Sequence, residues 1–336
     1  MVRVPATSAN LGPGFDSLGL ALACYDVVEA RVRPAGLVVE VSGVGQELAG
    51  AGEDHLVIRA LRTGFAALGG QPPGIAIRCR NSVPQGYGLG SSAAAVVAGL
   101  LAARALAARA PAARAPAGQA FAGQAGPAGT AGLPDDAVLT DDAVLTDDAV
   151  LRLAAELEGH PDNAAACLAG GLTISWLSAA GPSFTRLEPA AGLSPVICLP
   201  PAPMATSAAR QALPATVRHG DAAANSARAA LLVAALTSDL TLLMDATEDF
   251  LHQAYRAAAM PLTASLIASL RAAGIPAVIS GAGPAVLALT IADRRPGPDA
   301  VAALAAESGT GWQVLPLAVD RQGATAAAGD MGLASA

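Results

Sequence analysis

Residues 82–95 read SVPQGYGLGSSAAA, with Gly86, Gly88 and Gly90 at alternate positions before Ser91, Ser92 and a run of alanines. Glycines at this density let backbone N–H groups approach an anion. Two hydroxyls then stand at the start of a helix whose positive dipole end points the same way. The chemistry this suits is phosphate binding. A tight turn into a buried helix suits the same spacing, and the loop alone leaves both readings open. It is not the dinucleotide fingerprint, since Ser91 and Ser92 follow where that motif needs its third glycine. The 336 residues contain no lysine, all 20 positive side chains being arginine. That excludes a Walker-type lysine, a protein-kinase strand lysine and a Schiff-base lysine. Any phosphate is therefore left to backbone N–H groups, a helix dipole, arginine or a metal.

Three further stretches carry candidate chemistry. PATSANLGPGFDSLGLAL (5–22) combines small polar residues, a Gly-Pro-Gly turn and Asp16. EGHPDNAAACLAGG (158–171) gathers Glu158, His160, Asp162 and Asn163 where a helix ends, and ISGAGPAVLAL (279–289) is a second glycine-rich turn between apolar runs. His55, His219 and His252 have no motif support for ligand duty and read as structural. Cys24, Cys79, Cys167 and Cys198 are scattered without metal-ligand spacing and read as reduced, mostly buried thiols.

The elements around these stretches follow from periodicity. Residues 24–32 and 37–44 predict strands separated by a Pro-Ala-Gly turn. Residues 54–69 predict a helix with Val57, Leu61, Phe65 and Leu68 on one face. Residues 74–84 predict a strand with Ile75, Ile77 and Cys79 on one side, and Ser92–Ala103 a buried helix. From Arg104 to Val150 the periodicity lapses, and a hexapeptide repeat, DDAVLT, begins at Asp135, Asp141 and Asp147. Its carboxylate pairs lack the oxygen-rich loop and turn glycine of a calcium site, so the stretch reads as a low-complexity insertion. The last copy runs into a helix whose first turn carries the favoured acids. Beyond it, strands are predicted at 170–176, around SPVICLP, on both sides of the 279–285 turn and at GWQVLPL. Helices are predicted at 225–236, 248–259 and 299–307.

Composition bounds the rest. The chain is 53% apolar with a mean hydropathy of +0.47, mostly from alanine. The apolar run from Ala93 to Ala103 falls short of the ~18–20 residues that span a bilayer. A net charge of −7 with no basic block argues against nucleic acid. MVRVPATSAN lacks the apolar stretch of a secretory leader. The expectation is a cytoplasmic protein without a membrane segment.

Taken together and in order, VPATSANLGPGFDSLGLAL, PQGYGLGSSAAA, EGHPDN…GG and SGAGP resemble the GHMP small-molecule kinase superfamily, and within it the homoserine kinase family. MATSAARQALP (204–214) and HQAYRAAAMP (252–261) strengthen the second resemblance. It covers nearly the whole chain apart from 104–150. It implies an α+β, two-domain fold: a ribosomal-protein-S5-like N-terminal domain with a left-handed crossover, then a ferredoxin-like C-terminal domain. The expected bounds are 1–180 for the ATP-binding domain (insertion about 104–150), 181–325 for the second domain and 326–336 for a tail. The implied activity is phosphorylation of the L-homoserine hydroxyl by ATP with Mg²⁺, a step of threonine biosynthesis, with a homodimer carried as an expectation.

Position by position, the resemblance puts Pro84, Gln85, Gly86, Tyr87, Gly88, Leu89, Gly90, Ser91, Ser92 and Ala93 around the ATP phosphates. Ser280, Gly281 and Gly283 join them, and Ser92 and Glu158 hold the metal. It puts Asn10, Asp16, His160, Asp162, Thr206, Arg210 and Arg256 in the amino-acid site, with Asn10, His160, Asp162 and Arg210 as the catalytic set. Tyr87 departs from the basic or small residue expected in the loop. The chemistry of the substrate agrees. A homoserine carboxylate suits guanidinium forks from Arg210 and Arg256, its ammonium suits Asp16 or Asp162, and Asn10 and His160 suit the hydroxyl. Some superfamily members pair an Asp with a Lys base. With no lysine here, alignment and charge stabilisation are expected to carry catalysis. Two alternatives stay open: a GHMP kinase for a mevalonate-, shikimate- or sugar-like acceptor, and a non-catalytic ligand-binding regulator of the same fold.

Overall fold

The computed structural model describes residues 1–108 and 145–327, apart from the side chains of 206–208. The first part of the chain forms β1 (Val2–Ala9), β2 (Leu18–Arg33), β3 (Gly36–Gly43), α1 (Leu56–Ala67), β4 (Gly74–Asn81) and α2 (Ser91–Ala107). Then come α3 (Asp147–Glu158), α4 (Asp162–Ala169), β5 (Leu172–Ser178), β6 (Gly181–Leu187), β7 (Leu193–Leu199), α5 (Thr206–Gln211) and α6 (His219–Thr237). The last part holds α7 (Leu243–Ala246), α8 (Gln253–Arg256), α9 (Pro261–Ala272), β8 (Ala277–Ile279), β9 (Val286–Ile291), α10 (Pro298–Glu307), β10 (Gln313–Pro316) and β11 (Thr325–Ala326).

The first sheet runs β11-β1-β2-β4-β3, with the β5–β6 hairpin attached to β2. The strands expected at 24–32 and 37–44 both form, but they are not neighbours. β4 lies between them, antiparallel to β2 and parallel to β3, to which α1 connects it. Ile75, Ile77 and Cys79 of β4 share a core with Val57, Leu61 and Phe65 of α1 and with α2, α3 and α4. α2 is buried on most of its surface because alanines and Gly99 let α1 approach. A Cβ at Gly99 would lie 2.5 Å from the Val57 carbonyl.

The second sheet is antiparallel, in the order β10-β7-β9-β8. Val196 and Cys198 of β7 face α9 and α10, while Ile197 and Leu199 face a core shared with α6 and with Leu18, Leu20 and Leu22 of β2. That shared core is what fixes the two sheets against each other.

Four sequence expectations are revised. The first sheet continues past residue 180 through β6, so the chain changes sheets between Leu187 and Leu193. The expected tail begins inside β11, where Val2 pairs with Ala326; residues 328–336 lie outside the described residues. The expected insertion starts too early, since 104–107 close α2, whereas the last repeat copy opens α3 behind a Thr146 cap as its acids predicted. The first DDAVLT copy and residues 141–144 of the second lie outside the described residues. Residues 248–259 are not one helix, because the Asp249 carboxylate accepts from the N–H groups of Leu251, His252 and Gln253 and leaves only the single turn α8.

Candidate active site

The phosphate-binding candidate joins β4 to α2. Gly86, Gly88 and Gly90 all have positive φ, 77°, 78° and 66°, conformations that glycine adopts freely. Each carbonyl from Gly86 to Gly90 turns into the protein. They accept in order from Met204 N–H, Ala285 N–H, the Ser280 hydroxyl (2.8 Å), Thr7 N–H and Ala94 N–H. The N–H groups of Gly88 through Ala93, in contrast, donate to no acceptor among the described residues. A row of unspent donors leading into a helix N-terminus is an anion cradle. Asp26 pins its upstream end by accepting from Ser82 N–H (2.7 Å) and Val83 N–H (2.9 Å).

Ser280 and Gly283 act on this cradle from behind. Ser280 is fully buried between Gly88 and Ser8, and a Cβ at Gly283 would lie 2.8 Å from the Met260 sulfur. Pro84, Gln85, Tyr87 and Ala93 belong to the same loop and helix start but do not line the cleft in front of it.

That cleft, of about 360 Å³, is lined by Gly86, by Gly88 to Ser92 and by Asn10, Asp16, Glu158, His160, Asp162, Arg210, Arg256 and Gly281. The structure thus brings both groups of predicted residues to one cavity. Thr206 opens α5, but its side chain lies outside the described residues.

The β1–β2 loop supplies Asn10 and Asp16, and Asn10, Leu11 and Asp16 all have positive φ, 68°, 50° and 52°. Such conformations in non-glycine residues concentrate where neighbours over-determine them. Here Asn10 is that constraint. It accepts from Asp16 N–H (2.9 Å) and donates to the Gly281 carbonyl (2.8 Å), tying the first loop to the β8–β9 turn.

Asp16 and Arg210 pair across the cleft at 3.1 Å, both part-exposed. Burial raises the Asp16 carboxyl above its usual range, and Arg210 pulls in the opposite direction. Arg256 is buried and contacts no carboxylate. Its Nε donates to the Ala209 carbonyl and its Nη1 to Gly281 O and to His252 Nδ1. Only its Nη2 donors remain free among the described residues. Nε and Nη1 being engaged, no two-nitrogen fork of Arg256 is open to a ligand, and Nη2 is what it has to offer.

At the α3–α4 corner, Gly159 caps α3 with φ 84° and Asp162 opens α4. Asp162 Oδ1 contacts His160 Nδ1 (2.7 Å), Asn163 N–H (2.7 Å) and Asn163 Nδ2 (3.3 Å), leaving Oδ2 without a protein partner among the described residues. This contact raises the His160 pKa despite opposing burial. Ser92 donates to Glu158 at 2.6 Å, and burial raises the Glu158 carboxyl. A hydroxyl and a carboxylate touching beside an anion cradle are hard oxygen donors, a set that fits Mg²⁺ sharing its remaining positions with phosphates and water.

The sequence reading named Asn163 but gave it no role; it lines the cleft and accepts from the Thr7 hydroxyl (2.8 Å), while Phe15, whose ring lies 5.1 Å from that of His252, was missed. Asn163 sat in plain view within EGHPDN. It also missed a second cavity of about 180 Å³ that shares Ser91 and Ser92 with the cleft. Val4, Val28, Leu48, Val57 and three α2 alanines line it, with Asp26, His55, Asn81 and the predicted Gln85 as further polar lining.

Comparison with known proteins bears on both halves. The family model for the GHMP kinases N terminal domain matches residues 55–140, and that for GHMP kinases C terminal matches 230–309. A homoserine kinase from Streptomyces coelicolor is 50% identical over 324 residues, covering 96% of this chain and 93% of that protein. One from Leifsonia xyli is 45% identical, covering 96% and 90%. Among solved structures, a homoserine kinase from Cytophaga hutchinsonii superposes with a TM-score of 0.73 at 26% identity over 96% of each chain. A mevalonate kinase from L. major, in complex with R-mevalonate, shares the fold at a TM-score of 0.62 and 15% identity, over 96% of each chain.

Proposed function

The chain belongs to the GHMP kinases and, within them, to the homoserine kinases; from that premise we propose how its own residues carry the transfer of a phosphoryl group from ATP to the homoserine hydroxyl. The observation that carries the assignment is the single cleft that joins unspent N–H groups at one end to paired and unpaired side-chain charges at the other.

The triphosphate lies against the N–H groups of Gly88 to Ala93. The apolar cavity beyond Ser91 and Ser92 takes the base. Ser92 and Glu158 would hold Mg²⁺, which supplies charge neutralisation at the phosphate oxygens when bound.

The acceptor is a zwitterion, and the Asp16–Arg210 pair is built to be exchanged for it. The substrate ammonium takes over Asp16 while its carboxylate takes Arg210 and the Nη2 end of Arg256. Each protein charge keeps a partner throughout, so binding strands no buried ion. The hydroxyl then lies towards Asp162 and His160. Its oxygen forms the new bond to the γ-phosphorus as the bond to the ADP oxygen breaks.

Asp162 already accepts several hydrogen bonds on one oxygen, which commits Oδ1 to holding the corner. Its free Oδ2 orients the hydroxyl, and the proton passes to the transferred phosphoryl group. Loss of all turnover in Asp162→Asn with substrate affinity unchanged would instead make Asp162 the base.

ADP release with Mg-ATP and a panel of homoserine, serine, threonine, mevalonate and shikimate tests the assignment. Homoserine is the expected acceptor. Turnover on mevalonate without homoserine would overturn it.

A further inference from the structure

His252 is completely buried, does not line the cleft and sits in a motif, HQAYR, with four residues' separation from Arg256. Its ring makes two polar contacts: Nδ1 lies 3.1 Å from Arg256 Nη1, and Nε2 lies 2.9 Å from the Gly12 carbonyl. A guanidinium only donates and a carbonyl only accepts. The two contacts therefore admit one form of the ring, neutral, with its proton on Nε2 and its lone pair on Nδ1.

The surroundings agree with a neutral ring. Burial disfavours the charged form and prevails; Asp249 Oδ2, 3.7 Å from Nε2, and the Gly12 hydrogen bond oppose it, and Arg256 acts with it. Phe15 lies against the ring at 5.1 Å and also under the Arg256 guanidinium carbon at 5.5 Å. Gly12 and Phe15 belong to the loop that ends in Asp16. One imidazole thus touches the loop carrying the ammonium partner and the arginine carrying a carboxylate partner.

We propose that His252 is a positioning residue for the amino-acid substrate: its Nδ1 lone pair accepts from Arg256 and, with Ala209 O and Gly281 O, turns the guanidinium so that Nη2 faces the substrate carboxylate. This rests on Arg256 binding that carboxylate. Without the acceptor at Nδ1, Nη1 loses a fixed partner deep in the protein, and the guanidinium is free to rotate away from the cleft.

Two near-isosteric substitutions separate the ring's two hydrogen bonds. His252→Asn places an acceptor near the Nδ1 position and gives up the Gly12 bond. His252→Gln places a donor near the Nε2 position and gives up the Arg256 bond. His252→Gln is expected to raise the homoserine KM about tenfold or more, with kcat and the ATP KM within about threefold. His252→Asn is expected to hold the homoserine KM within about threefold. A role in packing alone predicts the reverse order, since Asn leaves the larger hole, and that order would overturn the proposal. So would an unchanged homoserine KM in both variants.

Arg256→Lys separates this from the reading beneath it. If that variant leaves the homoserine KM unchanged, the carboxylate assignment fails. If it raises the KM while His252→Gln does not, only the positioning role fails. The ¹⁵N histidine spectrum of the wild-type protein, assigned by the resonance missing from His252→Asn, needs no variant to be active. It is expected to show His252 neutral with its proton on Nε2, and a ring protonated on Nδ1 at neutral pH would overturn the proposal.

Discussion

The two ends of the cleft are made of different material. The phosphate end is backbone. Its glycines let every carbonyl from Gly86 to Gly90 turn inward, while the N–H groups from Gly88 to Ala93 have nothing to bind among the described residues. The acceptor end is side chains, several of them already bonded to one another: Asp16 to Arg210, His160 to Asp162, and Arg256 to His252. A backbone cradle is rigid and indifferent to which anion fills it. A set of paired charges is selective, because only a ligand offering both signs at the right separation replaces both partners. On the proposed roles, the phosphate end sets the class of reaction and the acceptor end sets the acceptor.

The sharpest way to break the phosphate end is through Gly88. A Cβ there would collide with the Ser280 carbonyl and approach Gly283 N at 2.8 Å, both main chain, at a φ that penalises any side chain. Gly88→Ala is expected to lower kcat/KM for ATP about a hundredfold or more. Gly86→Ala has a similar φ, but its Cβ would meet only Pro203 Cβ, at 2.9 Å, so its loss is expected to be about tenfold smaller. Steady-state kinetics on both variants checks the order. Equal losses would mean that the φ strain, and not the wall formed by the β8–β9 turn, sets the effect.

At the acceptor end the expected losses are smaller and fall on one substrate. Arg210→Ala and Asp16→Asn are each expected to raise the homoserine KM about ten- to a hundredfold while the ATP KM moves less than about threefold. Because the two side chains pair in the free protein, the double variant should cost less than the product of the single losses. A double variant whose loss equals that product would show that the pair is incidental, and a parallel rise in the ATP KM would dissolve the distinction between the two ends.

Acidity probes the same pair more finely. Asp16 binds an ammonium only as a carboxylate, and burial already holds its pKa above the usual carboxylate value. Lowering the pH through that raised pKa protonates it, so kcat/KM for homoserine should fall about tenfold per pH unit below it, starting at a higher pH than an ordinary Asp near 3.9 would give. Arg210 works against the upward shift, so Arg210→Ala should move the acid limb to still higher pH, and Asp16→Asn should flatten it. An acid limb that survives unchanged in Asp16→Asn would assign it to another group.

The contrast between the ends also explains what the sequence disclosed. Alternate glycines followed by Ser91 and Ser92 state a backbone conformation locally, and strand and helix periodicity around Ile75, Ile77, Val57 and Leu61 is equally local. The insertion of β4 between β2 and β3 is a long-range pairing that alternation in 24–44 does not encode. Nor does local pattern reveal that Asn10 bonds Gly281 across the fold, or that His252, in a stretch with helical periodicity, sits in a broken segment beneath Arg256. Asp249 caused that break. It is a polar residue whose carboxylate competes for the very N–H groups a helix would use. Arg210 and Arg256 entered through their motifs. Their unequal roles, one exposed and paired, the other buried and held on three sides, follow from packing alone.

A change belonging to neither end should have the smallest effect. Arg104 at the close of α2 donates to the Leu145 carbonyl (3.3 Å) and pairs with Asp147 (2.6 Å), Leu145 is buried, and the Thr146 hydroxyl accepts from Ala149 N–H. Arg104 therefore fastens the two flanks of residues 109–144 directly to each other. Shortening a connection whose ends are already held changes the closure entropy only logarithmically with length. Replacing 109–144 by a short Gly/Ser linker should leave kcat/KM for both substrates within about twofold and Tm within about 3 °C. Kinetics and thermal unfolding of that variant decide the matter: a large loss of either would make the intervening residues a third structural participant in the cleft, reaching it through α3 and Glu158.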